Sequence, residues 1–256
     1  MPPLLRPASS GPAERLASRV AGWPPAAVFA LALSAGFVAF SVVSVLIGTL
    51  VTRVVLDVGW VRQTDDGIID ALVAERAPAL TDASAVVSGL GGGPVLASLA
   101  GLIVVVAAVR RNWTIAVFVA FLLPIETAAY RLTLNLVPRS RPGVARLEDL
   151  PLGGSYPSGH TAASIAVYAG LMLLLASATP HRRVVVPAVA VAIAMPILVA
   201  VSRMYRGMHH PFDVAGGALV GIGTLAIVVF ACRAAEAAAR QRQRRRADAR
   251  IVRPTP

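Results

Sequence analysis

The chain has 256 residues, of which 56% are hydrophobic and only 14% charged, with a mean hydropathy of +0.71. A water-soluble globule carries about a quarter of its residues as charges, so an ordinary soluble enzyme is excluded and a bilayer is the expected solvent. The 24 basic residues are all arginine and give a formal net charge of +11, while the single cysteine, Cys232, rules out an intrachain disulfide or a cysteine-rich metal site.

Taken in chain order, apolar runs near or above the ~18 residues needed to cross a membrane occupy about 27–52, 92–109, 113–130, 161–179, 184–202 and 212–232. They predict an all-α fold, a polytopic membrane helix bundle with six transmembrane helices over residues 27–232. The first run is too long, and lacks the small-residue cleavage site, for a removed signal peptide. Residues 1–26 read as a cytoplasmic N-terminal segment and residues 233–256 as a basic cytoplasmic tail. Between the first two runs, residues 53–91 place Ile68, Ile69, Leu72 and Val73 at helical spacing among acids, which reads as an amphipathic helix lying on the outer surface. Residues 131–160 are too rich in proline and glycine for continuous helix.

Charge orients the bundle. With both ends inside, Arg6, Arg15, Arg19, Arg110, Arg111, Arg182, Arg183 and the arginines of the tail all fall on one side, against only Glu14, Glu236 and Asp248. The positive-inside rule then gives N-in and C-in. The dense "RQRQRRRADAR" cluster reads as a topology signal that also touches anionic lipid headgroups, not as a nucleic-acid site. His181 falls in an inner loop.

The outer arginines run against this trend and need partners, because a charge at a membrane end is costly without one. Three groups meet on that side: Arg139 and Arg141 in "VPRSRP", Ser158 and His160 in "YPSGH", and Arg203, His209 and Asp213 in "SRMYRGMHHPFD". Guanidinium forks match phosphate oxygens and stay charged at any physiological pH. Pro157 and Gly159 start the fourth span so that its first amides face an anion. His160, one step further in, suits protonation of a leaving oxygen. His209 and Asp213 are four positions apart, so the carboxylate can fix one imidazole nitrogen and leave the other to attack phosphorus. The scheme needs no metal and no cofactor.

In this order the three groups resemble the signature of the type 2 phosphatidic acid phosphatase superfamily, which includes vanadium-dependent haloperoxidases. The resemblance implies that His209 is transiently phosphorylated, that Asp213 supports it, and that His160 protonates the leaving group. It also implies that Arg141, Ser158, Gly159 and Arg203 hold the phosphate. The family's first motif usually has a lysine where this chain has Leu134, and the chain contains no lysine. Arg139 is the preferred replacement as a phosphate-binding cation, with Arg131 the alternative.

Other residues receive plainer expectations. His210 reads as a packing residue, Arg206 as a contact of either substrate or solvent, and Glu126 as a structural carboxyl paired with an arginine. The expected function is hydrolysis of a lipid phosphate or diphosphate (polyprenyl diphosphate, phosphatidic acid or phosphatidylglycerol phosphate) at the extracytoplasmic face of the cell membrane. The alternatives are a lipid phosphotransferase using the same site and a non-catalytic anionic-lipid binder or transporter. A binder would have no use for the histidine pair. The haloperoxidases that this resemblance brings to mind are soluble, which sets that activity apart.

Overall fold

The computed structural model describes residues 1–149 and 153–251. Residues 150–152 of the proline- and glycine-rich segment and residues 252–256 of the basic tail lie outside the described residues. Among the described residues there is no strand. The helices are α1 (Pro12–Arg19), α2 (Pro25–Arg53), α3 (Gly59–Ala74), α4 (Pro78–Leu90), α5 (Gly93–Val109), α6 (Trp113–Leu136), α7 (Gly159–Ser164), α8 (Gly170–Ser177), α9 (Arg182–Tyr205) and α10 (Pro211–Ile251). A π-turn at Ile165–Ala169 joins α7 and α8 into one rod, Gly159–Ser177.

Five of these rods are long and apolar enough to cross a membrane, and α4 with α5 forms a sixth candidate bent by 43°. Val38, Leu46, Leu102, Val105, Ile193 and Ile222 are all more than half exposed, as side chains solvated by lipid tails would be. The second span therefore differs from its expected form. Residues 78–90 are not part of a single surface helix but form α4, which with α5 makes a bent pair long and apolar enough for one broken span. The break falls in "GLGGGP", where helix propensity is poorest. Gly91 is required there because a Cβ would lie 2.5 Å from Val199 Cγ1. Only α3 matches the amphipathic surface helix.

The chain ends pack on each other. Leu5, Ala13 and Ala17 are buried against the far half of α10 with Ala234, Ala237 and Ala238. Arg233 Nε donates to the Leu4 carbonyl at 2.8 Å, and Gln241 Nε2 donates to Glu14 at 3.0 Å. The basic tail thus continues the last span as helix, at least through Ile251.

At the opposite end, α10 begins against the turn that precedes α7. The Ser158 amide donates to the Asp213 carbonyl at 2.8 Å. Two glycines permit this approach, since a Cβ on Gly216 would lie 2.5 Å from the Tyr156 ring and one on Gly217 would lie 2.3 Å from the Ser158 carbonyl oxygen. Gly67 in α3 faces open space. Gly217→Ala is therefore expected to destabilise the protein by about 1–3 kcal/mol through overpacking, whereas Gly67→Ala should be stabilising by about 0.5–1 kcal/mol through helix propensity. Denaturant titration in detergent compares the two directly.

Candidate active site

A cavity of about 400 Å³ opens between α5, α6, α7 and α9 at the end of the bundle away from the chain termini. Arg141, Gly159, His160, Arg203 and His209 line it, together with Glu126, Tyr130, Arg131 and Leu134. Five of the eight predicted site residues thus share one wall. Ser158, Arg139 and Asp213 stand behind it. A larger cavity of about 870 Å³ lies at the other end, near Arg6, Arg111 and Trp113, and contains no histidine.

The last turn of α9 and the loop after it supply two guanidiniums and the imidazole. Arg203 is fully buried. Its Nη1 donates to Glu148 Oε2 at 2.5 Å and to Ser88 Oγ at 2.6 Å, while its Nε and Nη2 are buried without a partner among the described residues. Arg206 Nε holds the other oxygen of Glu148 at 2.6 Å, so Arg206 is a structural cation and not a solvent contact. Arg141 Nη1 is fixed by the Met208 carbonyl at 2.7 Å, and its Nε is likewise buried and unpartnered. Burial alone would raise the Glu148 pKa, but the hydrogen bond and charge of Arg203, with help from Ser88 and Arg206, pull it down to about 2.

His209 is held differently from expectation. Its Nδ1 lies 2.9 Å from the Ser155 carbonyl and 3.7 Å from Asp213 Oδ2. A carbonyl only accepts, so Nδ1 carries the proton and Nε2 keeps its lone pair. The backbone sets the tautomer, and Asp213 contributes its charge from beyond hydrogen-bond range. Burial depresses the His209 pKa below the ordinary 6.5, partly opposed by Asp213, so the ring is neutral at physiological pH.

Asp213 is a buried junction. Oδ1 accepts from Arg139 Nη1 at 2.6 Å; Oδ2 accepts from the His210 amide at 2.8 Å and from the Ser155 hydroxyl, with His210 Nδ1 at 3.3 Å. The other end of Arg139 pairs with Asp65 of α3, which also receives the Phe212 amide at 3.1 Å. Arg139 therefore differs from the expected phosphate clamp. Two buried carboxylates demand a cation, and its guanidinium meets both, outside the cavity lining. Arg131 does line the cavity, beside Leu134. Ser158 Oγ accepts from Thr161 Oγ1 at 3.0 Å, so its own proton points elsewhere.

Asp65, Glu148, Ser88 and Ser155 were not legible as site residues. Asp65 sits in "TDDG" and Glu148 in "RLEDLP", and neither has a spacing that announces a partner far away in the chain. His210, expected only to pack, contacts Asp213 and lies 3.2 Å from Asp66. Glu126 has no arginine partner among the described residues. Thr127 Oγ1 donates to Oε2 at 3.1 Å, and Oε1 is unpartnered. Asp65, Asp66 and His210 come close enough together to suggest a cation site, but the Asp65 oxygens are already taken by Arg139 and the Phe212 amide.

Buried arginines and two histidines in one polar cavity of a multi-span helical bundle suit the transfer of a phosphate group. Residues 135–236 match the PAP2 superfamily, and the curated proteins that the chain resembles are named as phosphatases. It is 26% identical over 188 residues to phosphatidylglycerophosphatase B of Bacillus subtilis (strain 168), covering 70% of this chain and 89% of that protein. It is 34% identical over 122 residues to decaprenylphosphoryl-5-phosphoribose phosphatase of Mycobacterium tuberculosis (strain ATCC 25618 / H37Rv), covering 46% of this chain and 60% of that one. The fold is that of a transmembrane PAP2-type phosphatidylglycerolphosphate phosphatase crystal structure from Bacillus subtilis, with a TM-score of 0.64 at 24% identity over 73% of this chain and 92% of the other.

Two predictions follow from the ion pairs. Arg139→Ala leaves two buried carboxylates without their cation and should cost about 3–5 kcal/mol of stability, read by unfolding in detergent. Glu148 is held below its usual 4.5. Its contribution to stability is therefore full above that value and is lost as pH falls toward about 2. Glu148→Gln should flatten the stability profile in that acid window and leave its slope near neutrality unchanged.

Proposed function

We propose that the chain hydrolyses a lipid phosphate monoester, without a metal, through a phosphohistidine on His209. The observation that carries this reading is the set of buried N–H groups of Arg141 and Arg203 that have no partner among the described residues and belong to side chains lining the same cavity as both histidines. Buried donors without acceptors are costly, and three phosphate oxygens would satisfy them. His209 Nε2 forms the N–P bond as the P–O bond to the lipid alcohol breaks, and His160 gives its proton to the departing oxygen. Water then attacks the phosphohistidine, His160 takes its proton, and inorganic phosphate leaves. Arg141, Arg203 and the amides at Gly159 and His160 stabilise the charge on the transferring group, while Ser158, expected to bind phosphate, stands outside the cavity lining. Arg131 takes the place of the absent lysine at Leu134, because it lines the cavity while Arg139 is held by Asp65 and Asp213.

The arginine asymmetry supports N-in and C-in, with the histidine end extracytoplasmic. The basic tail would then meet anionic headgroups on the cytoplasmic side.

His209→Ala should abolish both turnover and any acid-labile phosphoenzyme, measured by rapid quench with a labelled lipid phosphate in the presence of chelator. Full turnover by this variant would overturn the covalent scheme. Because burial lowers the His209 pKa, the acid limb of kcat/KM should lie below pH 6.5. Arg131→Ala should weaken transition-state binding by about 2–4 kcal/mol while leaving the unfolding midpoint nearly unchanged, the reverse of Arg139→Ala. In a Cys232→Ala background, Ser140→Cys should be labelled by an impermeant reagent from outside intact cells and Ala247→Cys should not. The opposite pattern would invert the topology.

A further inference from the structure

Glu126 is 2% exposed in the middle of α6, and its Oε1 is buried without a partner among the described residues. An acid at this depth needs a reason, because an unsatisfied carboxyl among apolar side chains costs free energy. It lines the same cavity as His160, Arg203 and His209.

Its level in the bundle follows from how α6 meets the rod of α7 and α8. A Cβ on Gly159 would lie 3.0 Å from the Tyr130 ring, and one on Gly170 would lie 3.2 Å from Leu122. The two helices therefore run antiparallel, and Glu126, midway between Tyr130 and Leu122, stands opposite the turn after His160. Ala163 from that turn also lines the cavity. The carboxyl is thus about one turn, roughly 5 Å, deeper toward the bundle centre than His160. His160 faces the leaving oxygen in the proposed reaction, so the next atoms of the leaving alcohol extend toward Glu126 and the lipid interior. A phosphate at the bundle end, a headgroup below it and acyl chains deeper still match the order of groups in a lipid whose terminal phosphate caps a polar headgroup.

Resting on the phosphatase reading above, we propose that Glu126 forms a headgroup subsite. Its Oε1 accepts a hydrogen bond from a hydroxyl on the alcohol that carries the phosphate. The preferred substrate class is then a lipid-linked polyol phosphate, of the glycerol or sugar kind, in which a free hydroxyl stands one or two carbons from the phosphoester oxygen. Phosphatidic acid and polyprenyl phosphates or diphosphates lack that hydroxyl. They leave Oε1 unsatisfied, and a site built to bond a hydroxyl discriminates strongly against analogues that lack it. Thr127, donating to Oε2, fixes the carboxyl so that Oε1 is the oxygen left for the substrate.

The test uses the full chain in detergent micelles and two matched substrates: phosphatidylglycerol phosphate, and its analogue in which the secondary hydroxyl of the phosphorylated glycerol is replaced by hydrogen. In the wild type, kcat/KM for the parent should exceed that for the deoxy analogue roughly 10- to 100-fold, the range of one hydrogen bond to a charged or strongly polar group. Glu126→Ala should bring the ratio close to one. Glu126→Gln keeps an amide oxygen as acceptor and should keep most of it. A wild-type ratio near one, or a ratio that persists in Glu126→Ala, overturns the subsite even if both substrates are hydrolysed. If the wild type releases phosphate from none of the three lipids, phosphatidic acid included, the phosphatase reading falls and the subsite with it, whereas release from phosphatidic acid but not from phosphatidylglycerol phosphate overturns the subsite alone.

Discussion

The structure at the histidine end depends on one buried carboxylate. Asp213 sits in the first turn of α10 and gathers Arg139, Ser155 and the His210 amide on its side chain, while its own carbonyl receives the Ser158 amide. These contacts seat the turn before α7 on the start of α10, which places His160 and the Ser155 carbonyl that orients His209. Desolvating a carboxylate is expensive unless it is paired and hydrogen-bonded, and here every partner is also a positional constraint. Arg139 carries the constraint on to Asp65, so the surface helix α3 is anchored to the site by a charge pair and not by apolar contact alone.

A second carboxylate does the same for the other wall. Glu148 lies between Arg203 and Arg206 and is bonded by Ser88. It takes up one nitrogen of Arg203 and leaves two others without a partner among the described residues. Two arginines this close repel each other, and Glu148 removes most of that repulsion without filling the face of Arg203 that a phosphate would use. The loop from α6 to α7 thus contributes to the site through both an arginine, Arg141, and an acid.

The sequence carried the spans clearly, because lipid solvation is read from long stretches of side chains. It pointed to His160, His209, Arg141 and Arg203, which line one cavity, because such residues at a membrane end are costly without a reason. The bent second span was less legible: "GLGGGP" signals a break but not whether the helix before it turns into the bilayer or lies on it. The role of Arg139 was hidden for a related reason. A guanidinium suits a phosphate and a pair of carboxylates equally well, and the choice depended on Asp65, 74 residues away. The tautomer of His209 was beyond any side-chain pattern, because a backbone carbonyl sets it.

The length of α10 bears on its arginines. At ~1.5 Å per residue, its 41 residues make a rod of about 60 Å, while a bilayer with its headgroups is about 40–45 Å thick. Roughly a quarter of the rod therefore stands clear of the membrane, braced by α1. The field of a lipid surface fades within about 8 Å at physiological ionic strength. Counted from Pro211, Arg244, Arg245 and Arg246 lie about 50 Å along the rod, only about 5–10 Å past a bilayer of that thickness, so a stiff support would hold their charge close to the headgroups instead of leaving it to a loose tail.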